Sequence, residues 1–203
     1  MDPQEIDNIE LKYLELKDYQ LLLLNTNVAH SLADSEYNTR RLECESGVKA
    51  IQNILPGVTS LRDVTLENLS YLKNEIDPTV FKRCLHVISE NQRTLAASKA
   101  MKNQDFKLLG KLMYASHKSL TSDYNVSCTE LDFLVDQSKK LDYVLGSRMM
   151  GGGFGGCTIS IVEKSRVQEY IERLSVDYLD KFTIDLTPLE ISIEDGAKVC
   201  SKK

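Results

Sequence analysis

GSRMMGGGFGGCTISIV, residues 146–162, holds five glycines within six positions and then turns into a run of strand formers. Gly151, Gly153 and Gly156 satisfy the G-x-G-x-x-G spacing of a dinucleotide-binding turn. That turn needs a helix directly after it, because the amides at the helix start hold the pyrophosphate. Here Cys157-Thr158-Ile159-Ser160-Ile161-Val162 follows, a β run, so the spacing is not read as a nucleotide fingerprint. A two-residue hairpin needs only one or two glycines, and each glycine costs backbone entropy and offers nothing to pack. Gly151, Gly152, Gly153, Gly155 and Gly156 therefore read as a wide hairpin turn or as bare backbone that lets a ligand or another chain segment come close. The second accounts for more of the glycines.

Outward from the loop, residues 144–150 and 157–163 read as two strands. Residues 165–181 carry Val167, Tyr170, Ile171, Leu174 and Tyr178 on one helical side, and 187–194 (TPLEISIE) alternates as a last strand. Upstream, Ser127 and Glu130 have the S-x-x-E spacing of a capping box, which starts a helix at 128 and ends it near 141. A helix fits 104–121. Asp77-Pro78 is an N-cap with proline at the first helical position and opens a helix to about 101. A shorter helix fits 65–75. Residues 35–54 place Tyr37, Cys44, Val48 and Ile51 at helical spacing, stopped by Pro56-Gly57. Residues 20–25 (QLLLLN) form a short apolar strand, and ELKYLEL at 10–16 alternates like an edge strand. Strand, several helices, strand, strand, helix, strand is an α+β order, a ferredoxin-like split β-α-β with an enlarged helical first crossover.

The 203 residues suit one domain or somewhat more, with a sizeable core. The net charge of -5 disfavours nucleic acid as the main partner, since phosphate binding needs a basic face. The apolar run Leu21 to Leu24 is far too short to span a bilayer, and MDPQEIDNIE is acidic where a signal peptide is basic and then apolar. Cys44, Cys84, Cys128, Cys157 and Cys200 are odd in number and form no C-x-x-C pair. They read as reduced thiols of a cytoplasmic protein, with no zinc or disulfide framework.

The loop, a strand ending in glycines with an aromatic inside and a cysteine after, resembles the third signature of the GHMP kinases in its galactokinase form. HSLADSEYNTRR, 30–41, is similar to the galactokinase stretch after the first strand of the C-terminal lobe. SHKSLTSDYNVSCTELD, 116–132, is similar to the segment that precedes the glycine loop. The three occur in the family's order, and the resemblance runs from about residue 20 onward. Met150 stands where the family usually shows threonine, so no hydroxyl contact is carried over to it.

The resemblance implies that residues 1–203 are a GHMP kinase C-terminal domain. The partners it implies are galactose and ATP, with Mg²⁺, in an enzyme that makes galactose 1-phosphate. Tyr37, the tyrosine of S-E-Y, would hydrogen-bond the sugar; from the residues alone it is also the top of an apolar helix face. Arg40 reads as an i,i+4 partner of Glu36. Arg41 is left as a candidate neighbour of the transferring phosphates. His30 and His117 read as structural hydrogen-bonding residues, Ser31 with Asp34 as a helix cap, and Ser116, Ser119 and Cys128 as structural. Phosphoryl transfer needs a phosphate cradle. The family's P-x-x-x-G-L-S-S-S type segment is absent here, as are its catalytic aspartate and arginine. No catalytic residue and no metal ligand is therefore assigned to this chain, and alone it is expected to be inactive. The N-terminal ATP-binding half is expected to be missing; the other reading is a natural half-protein that binds sugar or a partner without catalysis.

Overall fold

The computed structural model describes residues 16–28 and 33–193. Strand β1 (Tyr19–Asn25) is followed by helices α1 (Ala33–Gln52), α2 (Leu66–Tyr71), α3 (Pro78–Lys102), α4 (Phe106–Ser119) and α5 (Thr129–Ser138). Then come β2 (Val144–Met149), β3 (Cys157–Glu163), α6 (Val167–Phe182) and β4 (Thr187–Glu190). The sheet order is β2-β3-β1-β4 with every neighbouring pair antiparallel. This is the ferredoxin-like split β-α-β arrangement, with four helices added before α5 in the first crossover.

The run QLLLLN makes sense in this sheet because β1 is covered on both faces, and doubly buried strands read as continuous apolar runs. Leu22 and Leu24 join Leu134 of α5 and Tyr170, Leu174 and Tyr178 of α6 in one core. Leu21 and Ile161 pack on the other face with Ala100, Phe106 and Leu109 of α3 and α4. A separate core lies away from the sheet, where Ile51 meets Leu61, Leu69, Cys84 and Ile88. Helix α4 lies on β2 so closely that a Cβ on Gly110 would stand 2.0 Å from the Leu145 carbonyl oxygen, and one on Gly146 would stand 2.4 Å from Gly110 Cα.

Asp77 caps α3 as its sequence implies, its carboxylate accepting from Thr79 and Val80 N–H at 2.8 and 3.1 Å. Three expectations are corrected. The Ser127–Glu130 capping box does not form: Cys128 is the N-cap, without a side-chain bond, and Ser127 Oγ donates to Asp132 Oδ1 at 2.6 Å. The Ser127 hydroxyl is instead held as a donor to a charged acceptor, which makes a strong bond. The helix 104–121 stops at Ser119 and passes into a π turn, Leu120–Tyr124, ended by Asn125 in the left-handed region at φ 54°. The last strand is only Thr187–Glu190; its alternation continues in sequence, but its pairing ends at Leu22↔Glu190. The edge-strand reading of 10–16 lies almost wholly outside the described residues, as do His30 and Ser31.

Candidate functional site: a pinned glycine loop

The loop between β2 and β3 is held at its neck, at its far end and in its middle. Its neck closes with Met150 N–H on the Cys157 carbonyl at 2.9 Å. At its far end the Gly156 carbonyl accepts both the amide and the hydroxyl of Thr26, at 2.9 and 2.8 Å. In the middle, Phe154 N–H donates to the Val126 carbonyl at 2.7 Å. The Phe154 ring packs beside Leu120, Val126, Leu131 and Met149. Phe154 holds φ 59° and Gly153 φ 88°; the strain of a bulky residue there is offset by these contacts. A Cβ on Gly153 would stand 1.9 Å from the Val126 oxygen. Gly153 is thus bare because another chain segment comes close. Gly151 and Gly152 are different: both are exposed, and a Cβ on either would meet nothing within 4 Å.

The segment that receives the loop is held in turn. The π turn and the residues after it present four successive carbonyls, and each has a donor. Asp123 O accepts from Arg83 Nη1 at 2.7 Å, Tyr124 O from Arg40 Nε at 2.8 Å, and Asn125 O from Arg40 Nη2 at 3.1 Å. Val126 O takes the Phe154 amide. The orphan carbonyls of a helical end are thus answered by two buried cations, which also suit the negative end of the dipole. Arg40 is only 5% exposed. It pairs with Glu36 at 3.2 Å, as its spacing predicts, and with Glu43 at 3.2 Å. Glu43 also holds Arg83 at 2.7 Å. Arg40 therefore ties α1 to the segment that seats the loop.

Beneath this segment, buried His86 stacks on Tyr124 with ring centroids 4.4 Å apart. Ser119 Oγ donates to Asp123 Oδ2 at 2.8 Å, so it accepts from His86 Nδ1–H at 3.0 Å. Burial holds the ring neutral and pulls its pKa down to about 4, a shift that Glu90 opposes. The unfolded chain therefore takes up this proton at higher pH than the folded one. The stability from a neutral His86 is complete above about pH 6.5 and is lost as pH falls through 4, about 3 kcal/mol in all. Urea unfolding between pH 7 and 4 is expected to show that extra loss in the parent chain relative to His86→Asn; parallel curves for the two would refute it.

Tyr37 is 64% exposed, whereas Ile51 further along the same helix is fully buried. The face that Tyr37 tops by spacing has therefore turned out of the core at that point. Arg41 is also exposed and pairs with Glu45 at 2.9 Å. Both line a groove of about 610 Å³ along α1 that also involves Cys44, Val48, Leu61 and Tyr124. The structure thus brings Tyr37 and Arg41 together in one groove and sets Gly153, alone of the tip glycines Gly151–Gly153, against Val126. Tyr124 links the two, lining the groove with its side chain while its carbonyl is held by Arg40. Among the described residues no cluster of His, Cys, Asp or Glu is arranged to hold a metal ion, and no helix is long and apolar enough to cross a membrane.

Residues 97–178, from the end of α3 through most of α6, match the family model described as GHMP kinases C terminal. The matched stretch contains β2, β3 and the glycine loop described above and has the fold of that C-terminal domain. The similarity to one particular kinase is close over nearly the whole chain. A galactokinase of Clostridium acetobutylicum is 42% identical over 197 residues, spanning 96% of this chain and 50% of its own length. One of Thermotoga neapolitana is 41% identical over 197 residues, spanning 95% and 54%. The crystal structure of Lactococcus lactis galactokinase complexed with galactose superposes with a TM-score of 0.83 at 35% identity, covering 87% of this chain and 46% of that one. The form of the domain is therefore that of galactokinases, and the chain spans about half the length of the curated relatives it matches.

Proposed function

We propose that this chain is the C-terminal lobe of a galactokinase. Together with an N-terminal half it would transfer the ATP γ-phosphate to the anomeric hydroxyl of galactose, giving galactose 1-phosphate, in the cytoplasm. The observation that carries this reading is the exposed Gly151–Gly152 tip on a loop held at Met150, Phe154 and Gly156. Gly151, at φ 85°, needs glycine for its backbone, but Gly152 has neither a positive φ nor a close neighbour, and a turn alone does not call for a bare residue there. In this reading the tip lets sugar or the facing phosphate segment approach the backbone. Tyr37 offers a ring to cover the sugar and a hydroxyl to read one of its hydroxyls. Arg41 is assigned to the field around the transferring phosphates, which requires it to leave Glu45.

Among the described residues, neither the glycine loop nor the carboxylates are arranged as a site for ATP or Mg²⁺. The glycine loop leads into β3 rather than into a helix, so it lacks the row of free amides that holds a polyphosphate. No described carboxylate cluster offers the cation its oxygens. Both are assigned to the other half, and positioning of the sugar to this one.

The test uses a protein that joins this chain to the N-terminal half of a galactokinase, with the 203 residues alone as control. Coupled ADP release from the chain alone is expected at background. In the joined protein Tyr37→Phe is expected to raise the galactose KM about fivefold or more, the loss of one hydroxyl partner, with the ATP KM unchanged. Turnover by the chain alone would overturn the division of labour. An unchanged galactose KM would remove Tyr37 from the sugar site.

A further inference from the structure

The entry to the glycine loop has a second hold, on the side of β2 that faces away from the sheet. β2 is an edge strand. At its last residues Met150 N–H faces β3 and donates to Cys157 O, so the preceding amide, Met149 N–H, points outward. An edge amide buried without an acceptor is costly. Here it donates to His117 Nδ1 at 3.2 Å. His117, in the last turn of α4, is 4% exposed. Because Met149 N–H can only donate, Nδ1 is the bare nitrogen and the ring proton sits on Nε2. That nitrogen faces Asp132 Oδ1 at 3.1 Å. The tautomer is fixed by the two neighbours, with no other arrangement satisfying both.

Asp132 gathers more than His117. The same oxygen accepts from Thr121 Oγ1 at 2.9 Å and Ser127 Oγ at 2.6 Å. Burial alone would raise its pKa, but the bonds from His117, Ser127 and Thr121 outweigh it and leave the carboxyl below its usual range. Thr121 lies in the π turn, and Ser127 directly follows Val126, whose carbonyl seats Phe154 and blocks Gly153. One carboxylate oxygen thus joins the strand that enters the loop to the segment that receives it. Neither residue needs to reach the exposed tip to set its position.

We propose that His117 and Asp132 are a positioning pair that holds the glycine loop in the conformation it presents to substrate, a role that rests on the kinase reading of that loop. They act through Met149 and Val126 and take no proton in the reaction. Chemically distinct replacements separate the two halves of the pair. His117→Asn places a carbonyl oxygen near the position of Nδ1 and keeps an acceptor for Met149. His117→Gln keeps a donor near the position of Nε2. His117→Phe fills the space with neither, and Asp132→Asn keeps the acceptor but not its charge.

Amide hydrogen exchange on the 203-residue chain reads the loop directly. His117→Phe is expected to speed exchange at Met149 and Phe154 at least tenfold, while the β1–β3 ladder keeps its protection. His117→Asn is expected to restore Met149. If His117→Phe does not fold, Asp132→Asn serves, with Phe154 the more affected amide. In the joined two-half protein the same changes are expected to lower kcat about tenfold while the galactose KM changes by less than threefold, with partial rescue by His117→Asn. Unchanged loop exchange, or loss of protection spread evenly over the sheet, overturns the pair as a loop clamp. A loosened loop with unchanged kcat overturns its positioning role. Loosening as expected in a joined protein whose parent form phosphorylates no sugar supports the clamp and refutes the kinase reading instead.

Discussion

Replacing Gly110 by alanine is expected to lower the melting temperature of this chain by about 6–12 °C, a loss on the order of 3 kcal/mol. Elsewhere in a helix interior the same change is favourable by about 1 kcal/mol, because glycine has the greater entropy to lose. The sign reverses at Gly110 because its new Cβ would stand 2.0 Å from the Leu145 carbonyl oxygen and 2.4 Å from the carbonyl carbon, well inside ordinary contact. Both are main-chain atoms of β2, so no side-chain rotation relieves the clash. Either α4 lifts from the strand or β2 leaves its ladder with β3. Gly146 meets Gly110 from the opposite side, so Gly146→Ala is expected to fall in the same range. Gly57, with nothing near its Cβ, supplies the control. Thermal unfolding of the three variants decides the matter: equal melting temperatures for Gly110→Ala and the parent chain would mean the two backbones are farther apart than described.

The second large effect separates two neighbouring glycines. In the joined two-half protein Gly152→Ala is expected to lower kcat/KM tenfold or more, about 1.4 kcal/mol, with the melting temperature moved by no more than a few degrees. None of the described residues opposes a methyl group at that exposed position. Gly153→Ala is expected to lose stability first, by about 2–3 kcal/mol. Its Cβ would strike the Val126 oxygen and its φ of 88° disfavours any other residue. Activity and unfolding measured on the same preparations distinguish the cases. A fully active Gly152→Ala enzyme would reduce the loop to a structural turn.

The elements whose signals are local were legible in the sequence. Asp77-Pro78 opens α3, Pro56-Gly57 follows the end of α1, and the side of Val167, Tyr170, Leu174 and Tyr178 is the buried side of α6. The switch from glycines to Cys157–Glu163 marked β3 and excluded a nucleotide turn. What the sequence could not convey depends on partners distant in the chain. The S-x-x-E spacing of Ser127 and Glu130 is visible in sequence, but only the fold shows that the Ser127 hydroxyl goes to Asp132 and that the box does not form. Arg40 reads correctly as the partner of Glu36, but its bonds to the Tyr124 and Asn125 carbonyls span more than eighty positions. Gly110 is a lone glycine inside a helical pattern, and its meeting with Gly146 has no periodic trace. The five loop glycines look alike in sequence; the structure divides them by what lies above each Cβ.

The place of β1 in the sheet sets a timetable for synthesis. This strand is the first of the four to be made, yet it lies between β3 and β4, the last two. Thr26, at its end, bonds to Gly156, 130 residues later, and accepts from Tyr178 across 152. At translation rates of roughly 5–20 residues per second, the apolar run Leu21–Leu24 waits on the order of ten seconds for its first ladder partner. The five helices of the crossover are complete in the meantime, and the core around Ile51, Leu69 and Cys84 is made wholly of residues from that interval. The ladder that encloses Leu21–Leu24 therefore cannot close until the hairpin at Gly151–Gly156 has been made.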